Sequence, residues 1–323
     1  MRGVLRGAVI GLGAMGRHHA RILASTEGAE LVATCDPQAE RAQEHARGPA
    51  TLAVTSPDEL PQDLDVAIIA APTTLHREIA EPLLRRGVAC LVEKPIAATL
   101  QDADAMIAAA REGGAVLAVG HAERFNPGVL RVRDRIRKPL FIEAHRLGVF
   151  PDRSLDVDVV LDLMIHDLDL LFWLAGGELV DVRAVGVNVL TQRVDIANAR
   201  LTLSTGCVAN LTASRVSADI TRKLRVFEQD AYVSIDLPAQ TAEVVTLVPG
   251  DPRPEIRREK VAPEPNAVRP EPLRLEQEAF LACVRGDSPS PGVTGEEGRR
   301  ALDAALRVLE AMEEHRRWAS TAS

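Results

Sequence analysis

Residues 5–36 read LRGAVIGLGAMGRHHARILASTEGAELVATCD, and this stretch decides how the rest of the chain is read. It opens on a short apolar run, 5–10, with strand character. A G-x-G-x-x-G turn follows: Gly11, Leu12, Gly13, Ala14, Met15, Gly16. A helical stretch runs on to Ala24, a second strand ends at Cys35, and Asp36 closes that strand twenty residues past Gly16. Alone, the glycine pattern is weak. Between a strand and a helix, with an acidic residue after the next strand, it has the context that dinucleotide binding requires. Gly11 permits the tight turn, Gly13 lets backbone N–H groups approach a pyrophosphate, and Gly16 lets the helix pack on the sheet. Ala14 and Met15 complete the cofactor loop, and the helix N-terminus faces the phosphate charge. Asp36 can accept hydrogen bonds from both hydroxyls of an adenine ribose. Its charge repels a 2′-phosphate, so the expected cofactor is NAD.

Working outward, strand and helix alternate through the first 120 residues or so. Further strands are expected at 51–55, 65–70, 88–92 and 116–119, with helices at 37–47, 74–86 and 99–111. The run at 65–70 is almost continuously apolar, as a strand buried on both faces should be. Short connections between alternating elements predict a parallel, doubly wound sheet. After Ala122 the rhythm changes. Helices are expected at 126–137 and 157–175, a strand at 140–147, and several β-branched alternating stretches between 178 and 248 that read as a mainly antiparallel sheet. Residues 249–272 hold seven prolines among charges and read as a surface loop. Helices at 275–285 and 295–317 close the chain. The fold class is therefore α/β: an N-terminal Rossmann domain, 1–122, and a C-terminal α+β domain, 123–323, with an open, mainly antiparallel sheet.

Composition narrows the function. The chain has 323 residues, 46% hydrophobic and 26% charged, which suits a folded globular protein. A net charge of −8 and only 3% aromatics leave little for a nucleic-acid backbone or for base stacking, so no nucleic-acid partner is expected. The longest apolar stretch, 159–176, carries Asp162, His166, Asp167 and Asp169, which argues against a membrane span. Cys35, Cys90, Cys207 and Cys283 show no C-x-x-C spacing and read as thiols of a reducing compartment. A cytoplasmic location is expected. The histidines, among them His18, His19, His121, His145 and His315, form no set at metal-ligand spacing, so no metal is expected.

Two pieces carry candidate chemistry. Glu93-Lys94-Pro95 closes the strand at 88–92, at the carboxyl edge where open α/β sheets bind ligands. Asp162 and His166 stand four residues apart and share one helix face, where the carboxylate can orient the imidazole and tune its pKa. Asp169 is a second partner for His166 or a structural cap.

With these residues in place, the chain resembles the glucose–fructose oxidoreductase/inositol dehydrogenase family. Gly11–Gly16, Cys35-Asp36-Pro37, the Ala71-Pro72-Thr73-Thr74-Leu75-His76 turn, Glu93-Lys94-Pro95 and the Asp162…His166 pair occur in that family's order, and the likeness covers nearly the whole chain. The resemblance implies NAD held by Gly11, Gly13, Ala14, Met15, Gly16, Asp36, Ala71, Pro72, His76, Glu93, Lys94 and Arg124. It implies Lys94, Asp162 and His166 as catalytic residues and a Lys94–Pro95 peptide that can be cis. The reaction implied is oxidation of a secondary alcohol of a sugar or cyclitol, or its reverse. His166 serves as base, Asp162 orients it, and the Lys94 ammonium stabilises the alkoxide. His76 is also placed to cap a helix.

A narrower resemblance lies in residues 120–127 (GHAERFNP) and 145–153 (HRLGVFPDR). It points to the branch acting at C3 of UDP-N-acetylglucosamine, although Val149 departs from the proline expected after Gly148. Arg124, Arg146 and Arg153 are expected near the junction of the two domains, where arginine suits a diphosphate. Lys94, Arg124, Asn126, Arg146, Arg153 and His166 are the substrate-binding candidates. The expected partner is a small molecule, a nucleotide sugar or a polyol. The alternatives are an inositol or free-sugar dehydrogenase or ketoreductase, and a non-catalytic NAD-binding regulator. Family members pair through the second-domain sheet, which implies a homodimer or homotetramer.

Overall fold

The computed structural model describes residues 3–48, 50–150, 157–250, 253–264 and 268–321. The chain divides into two compact units. One contains residues 1–122 and 271–300; the other contains 123–270 and 301–323.

The first unit is built on six parallel strands: β1 (Leu5–Ile10), β2 (Ala29–Cys35), β3 (Leu52–Val54), β4 (Val66–Ile69), β5 (Ala89–Glu93) and β6 (Leu117–Gly120). Their order is β3-β2-β1-β4-β5-β6. Chain order reverses between the adjacent strands β1 and β4, so the glycine turn after β1 lies at a topological switch point. Helices α1 (Gly16–Leu23), α2 (Ala39–His45), α3 (His76–Arg85) and α4 (Leu100–Gly113) connect the strands. Helix α4 begins where the sequence predicts, because the Thr99 side chain accepts the Asp102 N–H at 3.1 Å. All four residues of β4 and all five of β5 are buried, as their apolar runs require.

The second unit holds α5 (Pro127–Leu130), β7 (Phe141–Leu147), α6 (Ile165–Ala175) and seven strands after it: β8 (Leu179–Val187), β9 (Ile196–Leu203), β10 (Val208–Ser214), β11 (Thr221–Phe227), β12 (Ala231–Asp236), β13 (Thr241–Val248) and β14 (Glu255–Val261). The sheet order is β14-β13-β12-β11-β7-β10-β9-β8. Only β7 and β10 run parallel; every other pair is antiparallel. Period-two alternation puts Ile142, Ala144, Leu211, Ala213, Leu224 and Val226 into one core with Ile165, Leu168 and Leu171 of α6.

Four expectations are corrected. The helix expected at 126–137 is a short α5 and a 3₁₀ turn, Arg133–Arg135, because the backbone at Val132 (φ −117°, ψ −5°) leaves the helical range. The helix expected at 157–175 begins with a π-helical turn, Val160–Met164. The loop expected at 249–272 contains β14, an edge strand with six of its seven residues exposed. Its sequence, EIRREKV, has no apolar alternation because only Val261 at its end packs against the core. Finally, α7 (Pro272–Arg285) was expected in the second domain, but residues 271–300 belong to the first unit. The reason is apolar burial: Phe280, Leu281 and Val284 pack with Leu5, Val9, Leu23 and Leu31. Helix α8 (Gly295–Thr321) ends the chain. No helix among the described residues is long and apolar enough to cross a membrane.

Candidate active site

In the first unit, the turn after β1 is set by two glycines. Gly11 has φ +81°, and its N–H donates to the Cys35 carbonyl at 2.8 Å. A Cβ at Gly16 would stand 1.7 Å from the Gly11 carbonyl oxygen, so α1 can start only on glycine. By contrast, a Cβ at Gly13 would meet nothing within 4 Å, and Ala14 and Met15 are exposed. This open side faces the α1 N-terminus, where the first N–H groups of a helix have no intrahelical acceptor. Glycine strain on the inside and an open cradle outside fit a dinucleotide pyrophosphate.

Asp36 does more than its place after β2 suggests. Its carboxylate is buried, and Oδ2 accepts the Leu12 N–H at 2.8 Å while Oδ1 accepts the Gln38 N–H at 3.0 Å. The residue thus ties the glycine turn to β2. A carboxylate has about four acceptor positions, so two remain for ribose hydroxyls. Arg41 of α2, 3.5 Å from Oδ2, is a neighbour the sequence reading missed.

Ala71 and Pro72 lead from β4 into a 3₁₀ turn, Thr73–Leu75. His76 follows, and its ring is engaged with backbone. Nε2 lies 2.9 Å from the Ala71 carbonyl oxygen, and Nδ1 lies 3.1 Å from those of Pro95 and Ile96. Burial lowers its pKa, although the same carbonyls act in the opposite sense. The ring ties the turn after β4 to the turn after β5.

Lys94 directly follows β5 and is half-buried, and the Lys94–Pro95 peptide is cis. The carboxylate of Glu93 is turned inward. Oε1 lies 2.9 Å from His19 Nε2, and Oε2 accepts the Lys94 N–H at 3.1 Å.

In the second unit, Asp162 sits in the π-helical turn and His166 in the first turn of α6; both are half-buried. π-helical turns recur at functional sites. The neighbouring carboxylates have other tasks. Asp169 takes a bidentate pair from Arg124 at 2.7 and 2.8 Å. Asp167 takes one from Arg146 at 2.8 and 2.9 Å, and Arg146 Nη1 also donates to Glu123 at 2.8 Å. Burial opposes the Arg146 charge, but Asp167 and Glu123 outweigh it and raise the pKa. Burial likewise pushes Glu123 up, and Arg146 overrides it and holds the carboxyl below its usual range.

Arg124 and Arg146, expected as substrate ligands, thus each have carboxylate partners within the second unit. Both guanidinium groups are buried and already neutralised by carboxylates. Asn126 has structural partners as well: Oδ1 caps α5 through the Gly128 N–H at 3.0 Å, and Nδ2 donates to the Leu237 carbonyl at 3.0 Å. Arg153 lies outside the described residues. The cation the sequence reading missed is Arg222. It is exposed, stands opposite Arg146 in the β11–β7 register, and its charge acts on Glu123.

Comparison with known proteins now places the chain. Residues 5–121 match the oxidoreductase family with an NAD-binding Rossmann fold, and residues 130–233 match the Gfo/Idh/MocA C-terminal domain. The chain belongs to the Gfo/Idh/MocA oxidoreductase family. This family member is 41% identical to a UDP-N-acetylglucosamine 3-dehydrogenase of Acidithiobacillus ferrooxidans, over 96% of its own length and 97% of the relative's. The solved structure of that enzyme superposes with a TM-score of 0.86 at 40% identity, covering 97% of this chain and 99% of the other. A myo-inositol 2-dehydrogenase of Thermotoga maritima is 25% identical over 97% of each chain. Family membership and the glycine cradle agree: this is an NAD-dependent oxidoreductase.

Proposed function

We propose that this family member is a cytoplasmic dehydrogenase that oxidises the C3 hydroxyl of UDP-N-acetylglucosamine. The similarity to the Acidithiobacillus enzyme over almost the full length of both chains carries the reading. NAD, when bound, supplies the hydride acceptor. The chain supplies the proton chemistry and the charge. His166 takes the proton of the reacting hydroxyl, and Asp162 orients its imidazole. The Lys94 ammonium stabilises the negative charge that develops on the sugar oxygen. Glycines 11, 13 and 16 with Asp36 hold the dinucleotide, and Ala71 and Pro72 line the turn beside Gly11.

With Arg124 and Arg146 occupied by carboxylates, Arg222 is our candidate partner for the substrate diphosphate. The same occupied arginines favour a second reading, a neutral cyclitol or free sugar as substrate. Initial rates with NAD and a panel of UDP-N-acetylglucosamine, UDP-glucose and myo-inositol separate the two. UDP-N-acetylglucosamine should be preferred, and Arg222→Ala should raise its KM by roughly tenfold or more with kcat little changed, the loss expected for one charge-assisted contact. Preference for myo-inositol, with no effect of Arg222→Ala, would refute the nucleotide-sugar reading.

The proposal includes a dimer or tetramer formed through the second-unit sheet. Phe141, Phe227 and Tyr232 form a half-buried aromatic row there, with ring centroids 5.6 and 4.9 Å apart. Light scattering at micromolar concentration should give at least twice the chain mass of 34.8 kDa; a monomer would refute the assembly.

A further inference from the structure

Among the polar side chains that the first unit buries away from the glycine turn are His19, Glu93 and Gln277. His19 is one turn into α1, and Gln277 lies on α7, 258 residues away in sequence. The Gln277 amide nitrogen is 2.8 Å from His19 Nδ1 and 3.4 Å from the His19 carbonyl oxygen. A carbonyl oxygen only accepts, so the amide faces His19 with its N–H₂ group. Nδ1 thus faces the Gln277 amide, and Nε2 faces Glu93 Oε1 at 2.9 Å.

Glu93 Oε2 then accepts the N–H of Lys94 at 3.1 Å. Gly120 on β6 makes room for this carboxylate, since a Cβ there would stand 3.1 Å from Oε2. Burial works to raise the Glu93 pKa, but the His19 hydrogen bond and the charge and N–H of Lys94 outweigh it, and the carboxyl stays below its usual range. The result is one continuous buried chain from α7, through α1, to the backbone of Lys94.

We propose that Gln277, His19 and Glu93 are positioning residues that set the Lys94 peptide against α1, the helix whose N-terminus forms the pyrophosphate cradle. This rests on the reading above, in which Lys94 acts on the substrate oxygen. Each link is a buried hydrogen bond, and breaking one leaves a partner unsatisfied in a low-dielectric interior. Alternative positions of Lys94 relative to the cradle are thereby disfavoured. A displacement of a reacting group by about 1 Å can cost on the order of 100-fold in rate.

The test uses the full chain and whichever of UDP-N-acetylglucosamine and myo-inositol the unaltered enzyme oxidises. His19→Ala and Glu93→Gln should each lower kcat by roughly 10- to 100-fold, the range typical of residues that orient a catalytic group. NAD affinity by calorimetry should change less than about threefold. Gln277→Leu, a milder change at the far end of the chain, should give a smaller loss of the same kind. In a Lys94→Ala background these losses should vanish, because the network acts through that lysine.

A second readout needs no cofactor. The sequence has four lysines, Lys94, Lys138, Lys223 and Lys260, so reductive ¹³C-methylation gives a spectrum in which Lys94 is assigned by its absence from Lys94→Ala. In His19→Ala the Lys94 signal should move while the other three stay. Losses that multiply with Lys94→Ala, or an unmoved Lys94 signal, would overturn the positioning role. If Lys94→Ala itself keeps full kcat, the role proposed for Lys94 fails instead, and the methylation spectrum still decides the network.

Discussion

At the residue scale, Asp36 shows how one side chain can hold protein and, in the proposed function, ligand. It accepts the Leu12 and Gln38 N–H groups, and a carboxylate's two further acceptor positions suit a ribose. Arg41 stands beside it with its side chain 40% exposed. Removing the carboxylate takes away the groups that select the 2′-hydroxyl and leaves a cation suited to a 2′-phosphate. Asp36→Ala should therefore raise the KM for NAD by roughly tenfold or more and narrow the preference over NADP, since each lost charge-assisted bond is worth about 1.5–3 kcal/mol. The ratio of kcat/KM for the two cofactors measures this; an unchanged ratio would show that Asp36 does not select. The tight turn at Gly11 and the close packing at Gly16 were legible in the sequence because they depend on short-range geometry between adjacent elements. The pairings of Arg124, Arg146 and His76 were not, because their partners Asp169, Asp167 and the Pro95 and Ile96 carbonyls are brought close only by tertiary packing.

At the scale of elements, legibility followed apolar content. β4 and β5 were found because both faces are buried and the sequence is accordingly apolar. β14 was missed because a charged edge strand, with only Val261 against the core, has no hydrophobic period to read. The π-helical turn at Val160–Met164 escaped for a different reason: one shifted hydrogen-bond register leaves helical periodicity almost intact over five residues. Helix α7 was recognised as a helix but assigned to the wrong unit. Its apolar stripe says that it packs, and only the structure says against what. Phe280 makes the consequence measurable. Its side chain is fully buried among strands and helices of the first unit. Phe280→Ala should cost about 3–5 kcal/mol, as large-to-small core changes do. Hydrogen exchange should show faster opening of β1 and α1 than of β9 and β10. Equal effects on both units would contradict the placement of α7.

At the scale of the whole molecule, two kinds of sheet serve two tasks. The parallel sheet offers a switch point and a glycine cradle for NAD. The eight-stranded sheet supports α6 with Asp162 and His166 on one side and an aromatic row on another. Arg124 and Arg146, the buried arginines expected to meet a phosphorylated substrate, are paired with carboxylates, which is why the substrate is the claim to test. The direct measurement is mass spectrometry of UDP-N-acetylglucosamine after incubation with NAD and stoichiometric enzyme, so that tightly held product does not hide the reaction. The proposed function requires a nucleotide sugar lighter by two hydrogens, with fragmentation placing the ketone at C3, and far slower formation of it by Lys94→Ala. An unchanged nucleotide sugar would contradict it.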